Sequence, residues 1–175
     1  GVAAPAARYQ QPNVVVILVD DLGWPDVSTY GRTTVHTPNI DRIAKAGVAF
    51  SHGYVAASVC SVSRAGLLTG RMPASFGFDY QVNEADKNKG LPPSEKTMGD
   101  RLKALGYHTG LVGKWHLGME DQFYPTNRGF DEFYGFLGGE SQYVDPRTPG
   151  MVTTHTKHDR PVDKRKAWGQ ILEGP

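Results

Sequence analysis

The sequence predicts an α/β fold, a mostly parallel sheet with flanking helices, on three observations. The β-branched run Val14 to Val19 lacks polar alternation, as a central strand covered on both faces would. A helix, glycine, strand pattern occurs twice, in DRIAKAGVAF and in DRLKALGYHTGLV. The chain has 175 residues, 39% hydrophobic and 21% charged, which suffices for a core without disulfides or metals. Its single cysteine excludes a disulfide framework in any case.

Taken in order, the first strand stops at the paired carboxylates Asp20 and Asp21. Thr37 is placed to cap a helix that has Pro38 at its first position, Ile40, Ile43 and Ala44 on one face, and Gly47 as a left-handed terminal residue. Val48 to Phe50 reads as a short strand. A second helix runs from about Thr97 to Leu105, buries Met98, Leu102 and Leu105, and ends at Gly106; Thr109 to Val112 follows as a strand. The aromatics Phe130, Phe133, Tyr134 and Phe136 crowd around glycines and are expected to pack on the core. The segments expected are a flexible stretch over 1–11, a folded region over 12–142, and an irregular or partly disordered tail over 143–175.

Charge and apolar runs exclude two classes of partner. Nineteen Lys and Arg stand against 18 Asp and Glu, and the one basic cluster, Lys157 to Lys166, contains Asp159 and Asp163, so no nucleic-acid footprint is expected. No apolar run approaches the roughly 20 residues of a membrane helix, so no membrane span is expected. The small-residue stretch Gly1 to Ala7 resembles the mature side of an export signal, which gives a periplasmic or extracellular location as the expectation; a tag remnant or an arbitrary fragment boundary is the competing account.

Three clusters bear chemistry. Asp20 and Asp21 repel each other when both are ionised, and a hard cation resolves the repulsion; oxygen donors favour calcium, or magnesium as the alternative, over zinc or copper. A plain turn or N-cap ahead of Gly23 and Pro25 is the competing account. Cys60 lies in SVCSVSRAGLLTGR, where Ser61 or Ser63 could cap a helix carrying Leu67 and Leu68, with Arg64 one turn inside. That puts the thiol near a positive helix end and suits an anionic substrate, whereas a lone cysteine is otherwise an inert buried residue. Lys114 and His116 stand in GKWHLG, on one side of the chain if extended alternation persists. A lysine offers charge to an oxyanion and a histidine moves a proton near neutral pH, although either could be an ordinary surface residue.

The order VVVILVDDLGWPD, HTPNIDRIAKAGVAF, CSVSRAGLLTGR, GKWHLG, NRGFDEFYGF resembles the N-terminal part of the type I sulfatases, arylsulfatase-like enzymes of alkaline-phosphatase-type fold. The likeness covers about Pro12 to Gly139. It implies a sulfuric ester hydrolase that releases inorganic sulfate, with Cys60 oxidised after synthesis to formylglycine, whose hydrate supplies the nucleophilic oxygen. It further implies that Asp20, Asp21 and the modified Cys60 ligate Ca2+, with Mg2+ as the alternative. By the same likeness Arg64 holds the hydrate and the carboxylates, Lys114 neutralises the sulfate, and His116 orients or deprotonates the hydrate. The implied partners are a sulfated small molecule or carbohydrate and a formylglycine-generating or equivalent maturation enzyme. Tyr80, Gln81 and Asn83 are named as pocket-lining residues.

Two departures from the family pattern keep alternatives open. Where its maturation signature has proline or alanine two residues after the cysteine, this chain has Val62. The family's later part, with further metal and substrate ligands, has no counterpart here, so the chain reads as truncated. A phosphonate or phosphate ester hydrolase of the same superfamily, and an unmatured non-catalytic sulfatase homologue, therefore stand beside the leading reading.

Overall fold

The computed structural model describes residues 11–31, 34–83 and 85–140, together with the backbone of 172–174. It divides into two compact units, residues 1–52 and 53–175, each described by itself. The basic cluster Lys157 to Lys166 and nearly all of the expected tail and N-terminal stretch lie outside the described residues. No helix among the described residues is long and apolar enough to cross a membrane.

In the first unit, Val14 to Val19 corrects the expectation of a central strand. The run is without regular secondary structure, and its six side chains are 45–81% exposed. A strand exists only through its ladder, and no described residue pairs with this run. Val48 to Phe50 likewise forms no strand, and Val48 and Phe50 are exposed. Helix α1 spans Pro38–Ala46 with Pro38 in its first turn, as expected. Its apolar face is not covered: Ile40 and Ile43 are exposed and no residue of the helix is buried. Gly47 terminates α1 with φ −134 and ψ −137, a negative φ instead of the left-handed conformation expected.

Thr37 caps α1 without accepting a backbone N–H of the first turn; its Oγ1 instead donates to the Asp41 side chain at 3.4 Å. Its Oγ1 accepts from the Ser28 N–H at 3.0 Å, and its own N–H donates to Ser28 Oγ at 2.9 Å. Asp41 closes the cluster, accepting from Thr29 Oγ1 at 2.6 Å and from Ser28 Oγ at 2.7 Å. Those hydroxyl donors, Thr29 first, hold its carboxyl below the usual carboxylate range.

The second unit carries the core. Strand β1, Gly110–Lys114, pairs in parallel with β2, Glu132–Phe136, with Leu111 opposite Phe133 and Lys114 opposite Phe136. Strand β3, Leu172–Gly174, pairs antiparallel with the other edge of β2. Period-two alternation turns Leu111 and Phe133 inward, while Val112 and Tyr134 face out at 82% and 49% exposure. Phe130, Phe133 and Phe136 are buried as expected; the core joins Phe78, Val82, Leu91, Trp115 and Leu117 to Phe130 and Phe133. Trp115 meets Phe130 edge-on with ring centroids 6.1 Å apart, and Tyr124 meets Phe133 at 5.5 Å.

Two helices flank this core, α2 at Cys60–Thr69 and α3 at Met98–Ala104. Helix α3 starts and stops where its residues dictate. Thr97 Oγ1 accepts the Asp100 N–H while the Asp100 carboxylate accepts the Thr97 N–H, a reciprocal capping box. At the far end, Gly106 takes φ +86, and the Tyr107 N–H reaches back to the Leu102 carbonyl. Met98 and Leu102 are half-buried, but Leu105, expected inside, is the C-cap and is exposed.

The segment NRGFDEF clamps α3 to β1. Thr97 Oγ1 donates to the Arg128 carbonyl at 2.7 Å and Thr109 Oγ1 to the Gly129 carbonyl at 2.7 Å. Gly129 has φ +88, and a Cβ there would strike the Asp100 backbone N–H. Gly129→Ala thus faces both left-handed strain and a backbone clash, and is expected to cost about 2–4 kcal/mol in urea unfolding.

Asp131 completes the clamp. It takes an ion pair from Lys103 at 2.5 Å and the Thr109 N–H at 2.9 Å, and the Lys103 bond foremost lowers its carboxyl to about 2. Its folded pKa lies below the unfolded one, so its contribution is complete above about pH 4 and is lost as pH falls through about 2. The stability gap between wild type and Asp131→Asn is expected to close between about pH 4 and 2, measured by urea unfolding across that range.

Candidate active site

The first turn of α2 sets the position of Cys60. Val59 is extended, with φ −109 and ψ 146, and the chain becomes helical at Cys60, so the half-buried thiol occupies the first helical residue. It therefore lies at the positive end of the helix. Neither Ser61 nor Ser63 caps α2, which corrects the sequence reading: the cap is Val59, which makes no side-chain bond. The loop carrying Gln81 and Val82 does that work from a distance. Gln81 Oε1 accepts the Ser61 N–H at 3.1 Å, and Ser61 Oγ accepts the Val82 N–H at 3.1 Å.

The helix does carry Leu67 and Leu68, but it buries its small face instead: Ser61, Val62, Ala65, Gly66 and Thr69. The approach is close, since a Cβ on Gly66 would lie 2.6 Å from that of Ala56. Val62, 6% exposed, belongs to the core cluster with Ala65 and Phe78.

Arg64, half-buried on the same helix, donates from Nη1 to the Lys114 carbonyl at 2.6 Å. That bond ties α2 to the last residue of β1. Lys114 and His116 do not share a side through continued alternation, because His116 adopts φ +60. Ladder bonding nevertheless runs on past β1, with the Trp115 N–H on the Phe136 carbonyl at 2.9 Å and the His116 N–H on the Leu137 carbonyl at 3.1 Å. The left-handed residue turns the imidazole inward, where it is 4% exposed and its Nε2 lies 2.9 Å from the Val82 carbonyl. Gly139 leaves room for the ring; a Cβ there would sit 3.0 Å from His116 Cε1.

Within residues 53–175, then, Arg64 and Lys114 are joined directly, and His116 is linked through Val82 to Ser61, the neighbour of Cys60. Sequence reasoning missed Ser61 and Val82 as connectors. Of the residues expected to line the pocket, Asn83 is engaged locally, its N–H donating to Asp86 at 3.0 Å, while Gln81 is engaged by the Ser61 N–H of α2, twenty residues away.

Asp20 and Asp21 lie in the other unit, exposed, in a turn that follows the Val14 to Val19 run. Asp21 has φ +54, a left-handed conformation that aspartate tolerates better than most residues. The turn account of the pair is thus correct as geometry. The next 3-10 turn, Trp24–Asp26, is closed by Asp26 accepting the Gly23 N–H at 3.0 Å. Two carboxylates on successive residues are a hard, all-oxygen donor set.

The family model described as Sulfatase matches residues 12–165. N-acetylgalactosamine-6-sulfatase of Rattus norvegicus is 46% identical over 156 residues, covering 82% of this chain and 30% of that protein. Arylsulfatase A of Homo sapiens is 44% identical over 135 residues, covering 76% and 27%. Among solved structures, Ps i-CgsB superposes with a TM-score of 0.74 at 46% identity, over 77% of this chain and 30% of that one. The PsFucS1 sulfatase from Pseudoalteromonas sp. gives a TM-score of 0.67 at 39% identity, over 76% and 27%. The chain thus spans less than a third of the length of these relatives.

Proposed function

The chain belongs to the sulfatase family, and from that membership we propose that it is the nucleophile-bearing part of a formylglycine-dependent, calcium-assisted sulfuric ester hydrolase. The observation that carries the reading is the Arg64 bond to the Lys114 carbonyl, which builds the helix that begins at Cys60 and the GKWHLG segment into one framework. A nucleophile and the charges that serve it need such a common rigid support.

The oxygen donors of Asp20 and Asp21 fit a hard cation; calcium takes about 6 to 8 oxygens, so the pair would supply part of its shell. When bound, calcium would polarise a sulfate oxygen, and a formylglycine at position 60 would supply, through its hydrate, the oxygen that attacks sulfur. Arg64 presents donors in a fixed fork and would hold the hydrate while bracing Lys114. The Lys114 ammonium would neutralise sulfate charge, and His116 would orient the hydrate or take its proton.

A sulfated carbohydrate is the proposed substrate class. One relative is named as an N-acetylgalactosamine-6-sulfatase, and a neighbouring structure is of Ps i-CgsB in complex with k-i-k-neocarrahexaose. A formylglycine-generating or equivalent enzyme is the proposed maturation partner, and an exported location, periplasmic or extracellular, the proposed compartment.

An aryl sulfate, an aryl phosphate and an aryl phosphonate ester offered to the protein from its native host separate the readings. Sulfate release that a chelator removes and calcium restores is the expected result. Faster turnover of phosphate or phosphonate would transfer the assignment to the sister activity, and no turnover of any would end it.

Val62 favours a second reading, a non-catalytic homologue with an unconverted thiol. It occupies the third helical position, whose N–H stands outside the helical ladder, so proline is sterically compatible there. If Val62 blocks conversion, Val62→Pro raises the converted fraction of Cys60, read by peptide mass spectrometry. A fully converted wild type dismisses this reading.

A further inference from the structure

We propose that Ser61 is a positioning residue for His116: through the Val82 peptide it holds the imidazole as the Nε2–H tautomer. One peptide segment meets both partners. Its N–H donates to Ser61 Oγ at 3.1 Å, and its carbonyl lies 2.9 Å from His116 Nε2. A backbone carbonyl has no proton to give, so the hydrogen between them belongs to Nε2, and in the neutral ring the basic lone pair falls on Nδ1.

The segment has little freedom to do otherwise. Ser61 is fully buried and Val82 is 1% exposed, with its side chain in the core cluster. The same serine fixes the segment a second time, since its N–H donates to Gln81 Oε1. His116 is restrained from its own side by φ +60, by its N–H bond to the Leu137 carbonyl, and by the close approach of Gly139. Ser61 thus couples the first turn of α2, one residue from Cys60, to the ring nitrogen that carries the proton. The catalytic meaning rests on the proposed function: any proton His116 takes from the hydrate must then go to Nδ1. The tautomer itself does not depend on that reading.

The test is long-range proton–nitrogen correlation on protein labelled with 15N in histidine, comparing wild type, Ser61→Ala, Ser61→Thr and Gln81→Ala. Wild type is expected to show His116 in the Nε2–H form with a slowly exchanging proton. In S61A that form mixes with the other tautomer and exchange quickens by about tenfold or more, while S61T, which keeps the hydroxyl, restores the wild-type pattern. Q81A, which loosens the same segment, shifts in the direction of S61A and carries the comparison if S61A does not fold by circular dichroism. A wild type dominated by Nδ1–H overturns the proposal, as does an S61A, or in its stead a Q81A, indistinguishable from wild type. Turnover is not the readout, so failure to hydrolyse sulfate esters, which would defeat the functional reading, leaves this result independent.

Discussion

Cys60→Ala is expected to lower aryl sulfate hydrolysis by roughly 10^4- to 10^6-fold, the scale on which loss of a covalent nucleophile acts. The substitution removes one half-buried sulfur from the first helical residue, leaving the Ser61, Arg64 and Val82 bonds that shape the site intact. Its unfolding free energy should stay within about 1 kcal/mol of wild type, which separates lost chemistry from lost structure. Two measurements check the claim together: sulfate release by C60A, and the mass of the wild-type peptide containing Cys60, which should be that of an aldehyde in place of a thiol. Hydrolysis within tenfold of wild type in C60A, or an active wild type carrying only the thiol, would remove Cys60 from the mechanism.

How much of this was legible in the sequence follows from how local each signal is. Helix α3 could be read closely because Thr97 and Gly106 act on their own neighbours, as a cap and a left-handed stop. Phe130, Phe133 and Phe136 could be read as core because large apolar rings have few alternatives, whereas Tyr134, expected with them, falls on the outward face of β2. Val14 to Val19 misled for a physical reason: a β-branched run reports a demand for burial and says nothing of which strand meets it. The α2 cap misled because serines at a helix start are ordinarily local acceptors, whereas here the acceptor for Ser61 comes from Gln81, twenty residues on. His116 was found as a residue and misplaced as a geometry, since extended alternation cannot foresee a positive φ in a non-glycine residue. Motif order pointed to the chemistry; the bonds that orient it are long-range and left no pattern in one chain.

Arg128 is a second long-range group with a large expected effect, this time on stability. It is 3% exposed and donates to the carbonyls of Leu91 at 2.5 Å, Pro92 at 3.1 Å and Glu95 at 2.8 Å. Burial lowers its affinity for the proton, while Asp100 and Glu95 work the other way, and a guanidinium remains charged throughout the range in which the fold exists. Arg128→Ala strands three inward carbonyls and opens a void, an expected loss of about 3–5 kcal/mol in urea unfolding. Against a total of roughly 5–15 kcal/mol, that is enough to leave the chain marginal. Arg128→Met fills the void without donors and should recover only the packing share, so R128M falling nearer to R128A than to wild type identifies the hydrogen bonds as the larger cause; an R128A within about 1 kcal/mol of wild type would refute the role. The damage should also reach the candidate site. Leu91, whose carbonyl Arg128 holds, gives its own N–H to the Leu117 carbonyl at 2.8 Å, one residue past His116. A folded R128M is therefore expected to disturb the His116 ring resonances, read by NMR.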